Sequence, residues 1–105
     1  MKKKCLFDNE GFLLDFNLWD ENMAKKIAQS EEIQIDDVIW KIIFFLRSYY
    51  IKFNKSPPMR LLVEELNRKF GNKIGNSIYL QSKFTGSPAL QASKISGLPK
   101  PNHCI

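Results

Sequence analysis

The chain has 105 residues, 44% of them hydrophobic and 12% aromatic, which suits one domain with a single core and argues against a disordered chain. No apolar run approaches the ~20 uncharged residues that a membrane span requires. The net charge of +5 is unevenly placed: all eleven acids lie at or before Glu65, so residues 1–65 sum to −1 and residues 66–105 to +6.

From the N-terminus, Met1-Lys2-Lys3-Lys4 is basic like the start of a signal peptide. The apolar stretch behind it is cut by Asp8, Asn9 and Glu10, and no small-residue cleavage site follows, so a cytoplasmic location is expected. Cys5-Leu6-Phe7 and Phe12-Leu13-Leu14 flank a turn ending in Gly11, which reads as a β-hairpin with Cys5 as a small buried residue of its first strand. Asp20 is a candidate N-cap for a short helix over 21–30, with Met23, Ala24, Ile27 and Ala28 on one face. Asp36 is a candidate cap for a second helix over 37–54. That helix is apolar nearly all round, with one narrow polar stripe at Lys41, Ser48, Lys52 and Lys55, so it is expected to be central and buried.

Ser56-Pro57-Pro58 ends that helix and opens the next, with Ser56 as cap and proline in the first turn. Met59, Leu62, Val63, Leu66 and Phe70 repeat at helical spacing up to Gly71. Glu64 with Arg68 and Glu65 with Lys69 stand at i,i+4 spacing and are expected to pair on its solvated side. A fourth helix is expected near 75–84 and a fifth from Ser87-Pro88 to Gly97. Leu98-Pro99-Lys100-Pro101 then loses two backbone donors and disfavours helix, so residues 98–105 read as an extended, mobile arm on a folded body of residues 1–97. Fully extended, eight residues span about 26–29 Å. The expected fold is α+β and mostly helical: a small N-terminal β-hairpin or meander packed on about five helices, with this arm at the end.

Few residues fit a known chemistry. The Gly71 to Gly75 stretch lacks the Lys and Ser or Thr of a phosphate loop. The carboxylate pairs Glu31-Glu32, Asp36-Asp37 and Glu64-Glu65 are sequence neighbours, whose side chains diverge on a helix. His103 and one nearby cysteine do not make a metal site, and no metal or cofactor is expected. Cys104 remains, a thiol beside the chain end. The α-carboxylate of Ile105 raises its pKa, whereas Lys100 and a protonated His103 lower it, so a reference value of ~8.5 leaves partial thiolate near neutral pH.

The ending Gly97-Leu98-Pro99-Lys100-Pro101-x-x-Cys104-Ile105, with Gly86-Ser87-Pro88-Ala89 before it, resembles the C-terminus of the DsrC/TusE family. Trp40, Phe53-Asn54-x-Ser56-Pro57, Arg60, Lys69-Phe70-Gly71 and Gly75-Asn76-Ser77-x-Tyr79-Leu80 extend the resemblance over nearly the whole chain. The family branch that partners dissimilatory sulfite reductase carries a second cysteine eleven residues before the last, where this chain has Ser93, so the two-thiol redox chemistry of that branch is disfavoured. The single-cysteine pattern resembles the TusE branch. That resemblance implies a sulfurtransferase in a sulfur relay for tRNA 2-thiouridine synthesis. Cys104 would take a persulfide sulfur from a TusBCD-type complex and pass it to an MnmA-type tRNA thiolase, with Arg60, Lys100 and His103 as auxiliary candidates. The alternative from the residues alone is a nucleic-acid-binding module, in which the third and fourth helices form a helix-turn-helix and the cationic half supplies phosphate contacts.

Overall fold

The computed structural model describes residues 6–101, and Cys5, Asn102, His103, Cys104 and Ile105 lie outside them. Its elements are a 3-10 turn at Phe16–Leu18 followed by α1 (Glu21–Ser30), α2 (Asp37–Phe53), α3 (Met59–Phe70), α4 (Ser77–Lys83) and α5 (Pro88–Ile95). Among the described residues there is no strand and no sheet, which corrects the expected β-hairpin or meander and makes the fold helical rather than α+β. What exists at the N-terminus is a turn closed by one antiparallel bridge, Phe7 with Leu13. The Asp8 carboxylate accepts from the amides of Glu10 and Phe12 and tightens this turn locally. Asp15 then accepts from the Asn17 amide and starts the 3-10 turn, so the chain leaves the ladder before a second bridge forms.

Side-chain caps explain three helix starts. Asp20, Asp36 and Asn76 each accept the amide three residues on, opening α1, α2 and α4. Asn54 closes α2 at φ 57°, a left-handed position that asparagine tolerates. The third helix departs from expectation: its N-cap is Pro58, and Ser56 is committed elsewhere.

The centre of the fold is also not where hydrophobicity alone puts it. α5 touches each of α1, α2, α3 and α4. It buries Pro88, Ala89, Gln91, Ala92, Ser93 and Ile95, and the small residues among them let neighbouring helices approach closely. α2 supplies Ile39, Ile42, Ile43, Leu46 and Tyr49 to the same core, but its other side stays open: Phe44 is 45%, Phe53 48% and Ile51 74% exposed. The expectation of an all-round buried α2 is corrected accordingly.

Folding also redistributes charge. Lys83 bonds Asp36, Lys94 meets Glu31 at 3.0 Å and Lys100 meets Glu10 at 3.1 Å, while Arg68 meets Glu65 at 3.5 Å in place of the expected Glu64–Arg68 and Glu65–Lys69 pairs. Three of these four pairs tie the cationic half of the sequence to the N-terminal acids, so the segregation visible along the chain is largely cancelled in space. No described helix is long and apolar enough to cross a membrane.

Candidate functional site

The described chain ends on a set of contacts that fix how it leaves α5. Ser96 is the C-cap and Gly97, at φ +77°, turns the chain in the left-handed region. The Leu98 amide donates to the Ser93 carbonyl at 3.0 Å and the Gly97 amide to the Lys94 carbonyl at 3.2 Å. This is the paired-bond C-terminal motif that glycine favours. Leu98 is fully buried and joins the core cluster.

The remaining carbonyls at this end are met by side chains from distant sequence. Trp19 Nε1 donates to the Ile95 carbonyl at 2.8 Å, Arg47 Nη1 to the Ser96 carbonyl at 2.9 Å and Ser56 Oγ to the Pro99 carbonyl at 2.6 Å. Every carbonyl from Ser93 to Ser96, and that of Pro99, therefore has a named donor. Orphan carbonyls at a helix end would otherwise need water. Three parts of the fold, the end of the 3-10 turn, α2 and the α2–α3 connection, converge on the five residues from Ile95 to Pro99.

Arg47 is the hub of this clamp. Its Nη2 also donates to the Phe16 carbonyl at 3.1 Å, and the guanidinium lies over the Phe16 ring at 3.7 Å and the Trp19 ring at 4.2 Å. Burial pushes its pKa down, but an arginine starts so high that it stays charged. The cation has no carboxylate among these contacts. Two carbonyl dipoles and two ring faces replace its lost hydration. Gly97 lies directly against this arrangement, for a Cβ there would sit 2.7 Å from Trp19 Cδ1 and 2.9 Å from Trp19 Cβ.

The candidate residues read from sequence are distributed around this clamp. Cys104 and His103 fall outside the described residues, three and two positions beyond Pro101. Lys100 is at the exit, paired with Glu10. Arg60 is exposed in the first turn of α3. Ser93 is 1% exposed and its Oγ has no hydrogen-bond partner among the described residues. Sequence reasoning missed Trp19, Arg47 and Ser56 as a set. One signal was available: Arg47 stands off the Lys41–Ser48–Lys52 stripe of α2, a lone cation on an apolar side.

A second polar network braces the opposite side of α5. Gln91 Nε2 donates to Thr85 Oγ1 at 2.7 Å and to Glu31 Oε1 at 3.1 Å, beside the Lys94–Glu31 pair. Burial works to raise the Glu31 pKa, yet the bonds from Lys94 and Gln91 outweigh it and hold the carboxyl below its ordinary value. No group of three or more His, Cys, Asp or Glu suited to a metal ion occurs among the described residues.

Against known proteins, residues 1–105 match the family described as DsrC like protein. The chain is 45% identical over 103 residues to a protein named Sulfurtransferase TusE from Escherichia coli (strain K12), covering 98% of this chain and 94% of the relative. It is also 45% identical over 98 residues to one named Sulfurtransferase TusE homolog from Haemophilus influenzae, covering 93% and 90%. The solution structure of DsrC from Allochromatium vinosum superposes with a TM-score of 0.86 at 38% identity, covering 94% of this chain and 88% of that one. With the family match spanning the whole chain and the helical fold shared, this protein belongs to the DsrC-like family.

Proposed function

We propose that this protein is a sulfur carrier whose Cys104 receives and passes on a persulfide sulfur. In this reading the presenting arm, expected over 98–105, is rooted in the folded body through Leu98, packed in the core, and Pro99, held by Ser56. The observation that carries the reading is the clamp. Trp19, Arg47 and Ser56 hold the backbone up to Pro99, so the last residues start from a fixed root. The name sulfurtransferase borne by relatives alike over nearly the whole chain supports the same reading.

The transfer is an exchange between divalent sulfurs. The Cys104 thiolate attacks the terminal sulfur of a donor persulfide. A new S–S bond forms on Cys104, the donor's S–S bond breaks, and the departing donor thiolate keeps the electron pair. No net oxidation occurs. In the second step an acceptor thiolate attacks the terminal sulfur on Cys104 and releases the Cys104 thiolate. In this reading the donor is a TusBCD-type complex, the acceptor an MnmA-type tRNA thiolase, and the product a 2-thiouridine in tRNA. Lys100 and His103, close to Cys104 in sequence, and Arg60 are the candidates to favour the anionic form.

Ser93 supports the single-thiol form of this chemistry, since its hydroxyl cannot form a disulfide. The nucleic-acid reading loses support: α4 has seven residues, and its one basic side chain, Lys83, is committed to Asp36. The test is a reconstituted relay from a cysteine desulfurase through the donor complex and this protein to the thiolase and tRNA. Wild type and Cys5→Ser should yield 2-thiouridine, and Cys104→Ser should not. Full yield with Cys104→Ser refutes the proposal.

A further inference from the structure

The open side of α2 forms one wall of a groove of about 510 Å³, closed on the other side by α3 through Glu65, Lys69 and Phe70. Its α2 lining runs in pairs from Trp40-Lys41 through Phe44-Phe45 and Ser48-Tyr49 to Lys52-Phe53. Steps of three and one residues keep one continuous helix face, about 20 Å long at 1.5 Å per residue. The floor is aromatic and the rim is basic. Lys41, Lys52 and Lys69 have no ion pair among the described residues, whereas Lys83, Lys94 and Lys100 elsewhere are matched with acids. The one acid in the lining, Glu65, is already met by Arg68.

We infer that this groove docks an amphipathic α-helix with acidic residues flanking its apolar stripe, presented by a protein partner in the sulfur transfer. In naming that partner it rests on the sulfur-carrier reading. The length fits about 13 helical residues, the aromatic floor takes their apolar side chains, and the three unmatched lysines take the acids. A single-stranded nucleic acid fits less well. The rings engage one another, with Trp40 stacked on Phe44 at 5.7 Å, Tyr49 tilted against Phe53 at 4.6 Å and Phe45 edge-on to Phe70 at 6.3 Å, which occupies ring surface that bases would need. Glu65 in the wall also repels phosphate. The Phe53 end of the groove lies three residues before Ser56, which holds Pro99, so a docked partner sits beside the root of the segment that leads to Cys104.

The test uses the full chain with two exposed-site variants, Phe44→Asp and the triple Lys41→Glu, Lys52→Glu, Lys69→Glu, checked by circular dichroism and thermal melting. Binding to the purified donor complex, to the thiolase and to tRNA is measured against salt. Loading of Cys104 by a small-molecule persulfide donor is followed separately. Expected is at least a tenfold loss of affinity for one protein partner in both variants, a flatter salt dependence in the triple variant, and unchanged small-molecule loading. A photo-crosslinking residue placed at Ser48 should capture a helix of that partner bearing acidic residues. Unchanged protein binding in both variants, or capture of a segment without acids, overturns the inference. Loss of tRNA binding alone overturns it in favour of RNA. Failure of wild type to load Cys104 counts against the sulfur-carrier reading and leaves the groove to be decided by the binding data.

Discussion

Replacing Gly97 separates backbone freedom from side-chain contact at the clamp. At φ +77° an alanine pays about 1–2 kcal/mol for the left-handed conformation. Its Cβ would also sit 2.7–3.0 Å from Trp19 Cδ1, Cβ and Cγ. The indole cannot yield freely, because Nε1 is bonded to the Ile95 carbonyl and the ring carries Arg47. Overpacking of that kind costs about 1–3 kcal/mol, and losing the indole bond adds about 0.5–1.5 kcal/mol. Gly97→Ala should therefore lower unfolding free energy by about 3–5 kcal/mol. Gly97→Asn is the informative partner, since asparagine accepts the left-handed region and still carries the Cβ. Urea titration followed by tryptophan fluorescence should show Gly97→Asn keeping most of the loss, about 2 kcal/mol or more. Near-wild-type stability of Gly97→Asn would show that φ alone requires the glycine and that the Trp19 contact is irrelevant.

Other outcomes follow from the same contacts. Arg47→Met leaves the Ser96 and Phe16 carbonyls without their charged donor and should cost about 2–4 kcal/mol; Arg47→Lys should rescue little, because an ammonium lacks the two-pronged geometry, and full rescue by lysine in a urea titration would contradict the fork. Ser93→Ala removes a buried hydroxyl that has no partner among the described residues and should raise the melting temperature, corresponding to about 1 kcal/mol; a fall would mean that the hydroxyl is bonded in solution. Acid stability follows from carboxyls held low. For Asp36, as for Glu31, burial pushes upward but the bonds, here from Lys83 and the Ile39 amide, prevail, so both folded values lie below the ordinary 3.8 and 4.5. The unfolded chain then binds more protons in that range, and the stabilisation present above about pH 5 is lost as pH falls through the folded values. Glu31→Gln should make the stability profile between pH 5 and 3 shallower, and an unchanged slope would count against the Lys94–Gln91 network.

Local chemistry made much of this fold legible. Asp20 and Asp36 announce their helices because each stands just before a run with helical apolar spacing, where a carboxylate can accept the amide three residues on, and both helices begin where those residues place them. The N-terminal hairpin misled because apolar runs around a glycine describe a turn but not how far pairing continues; Asp15 redirects the chain after one bridge. Ser56 misled because a serine before two prolines has the composition of a cap, while its hydroxyl is claimed by a carbonyl 43 residues later. The apolar residues of α2 predict a central helix, yet the central place goes to α5, whose small side chains permit close packing. The clamp was invisible for a related reason: Trp19, Arg47 and Ser56 meet only in three dimensions. The family resemblance in the Gly97 to Cys104 ending, by contrast, was available from the letters alone and agrees with the full-length family match.

The most direct test of the sulfur-carrier account is peptide mass mapping after the protein is exposed to a persulfide donor and its thiols are trapped. The account predicts added sulfur on the C-terminal peptide that contains Cys104, and none on the N-terminal peptide that contains Cys5. Sulfur on Cys5 alone, or equal loading of the two cysteines, would contradict it.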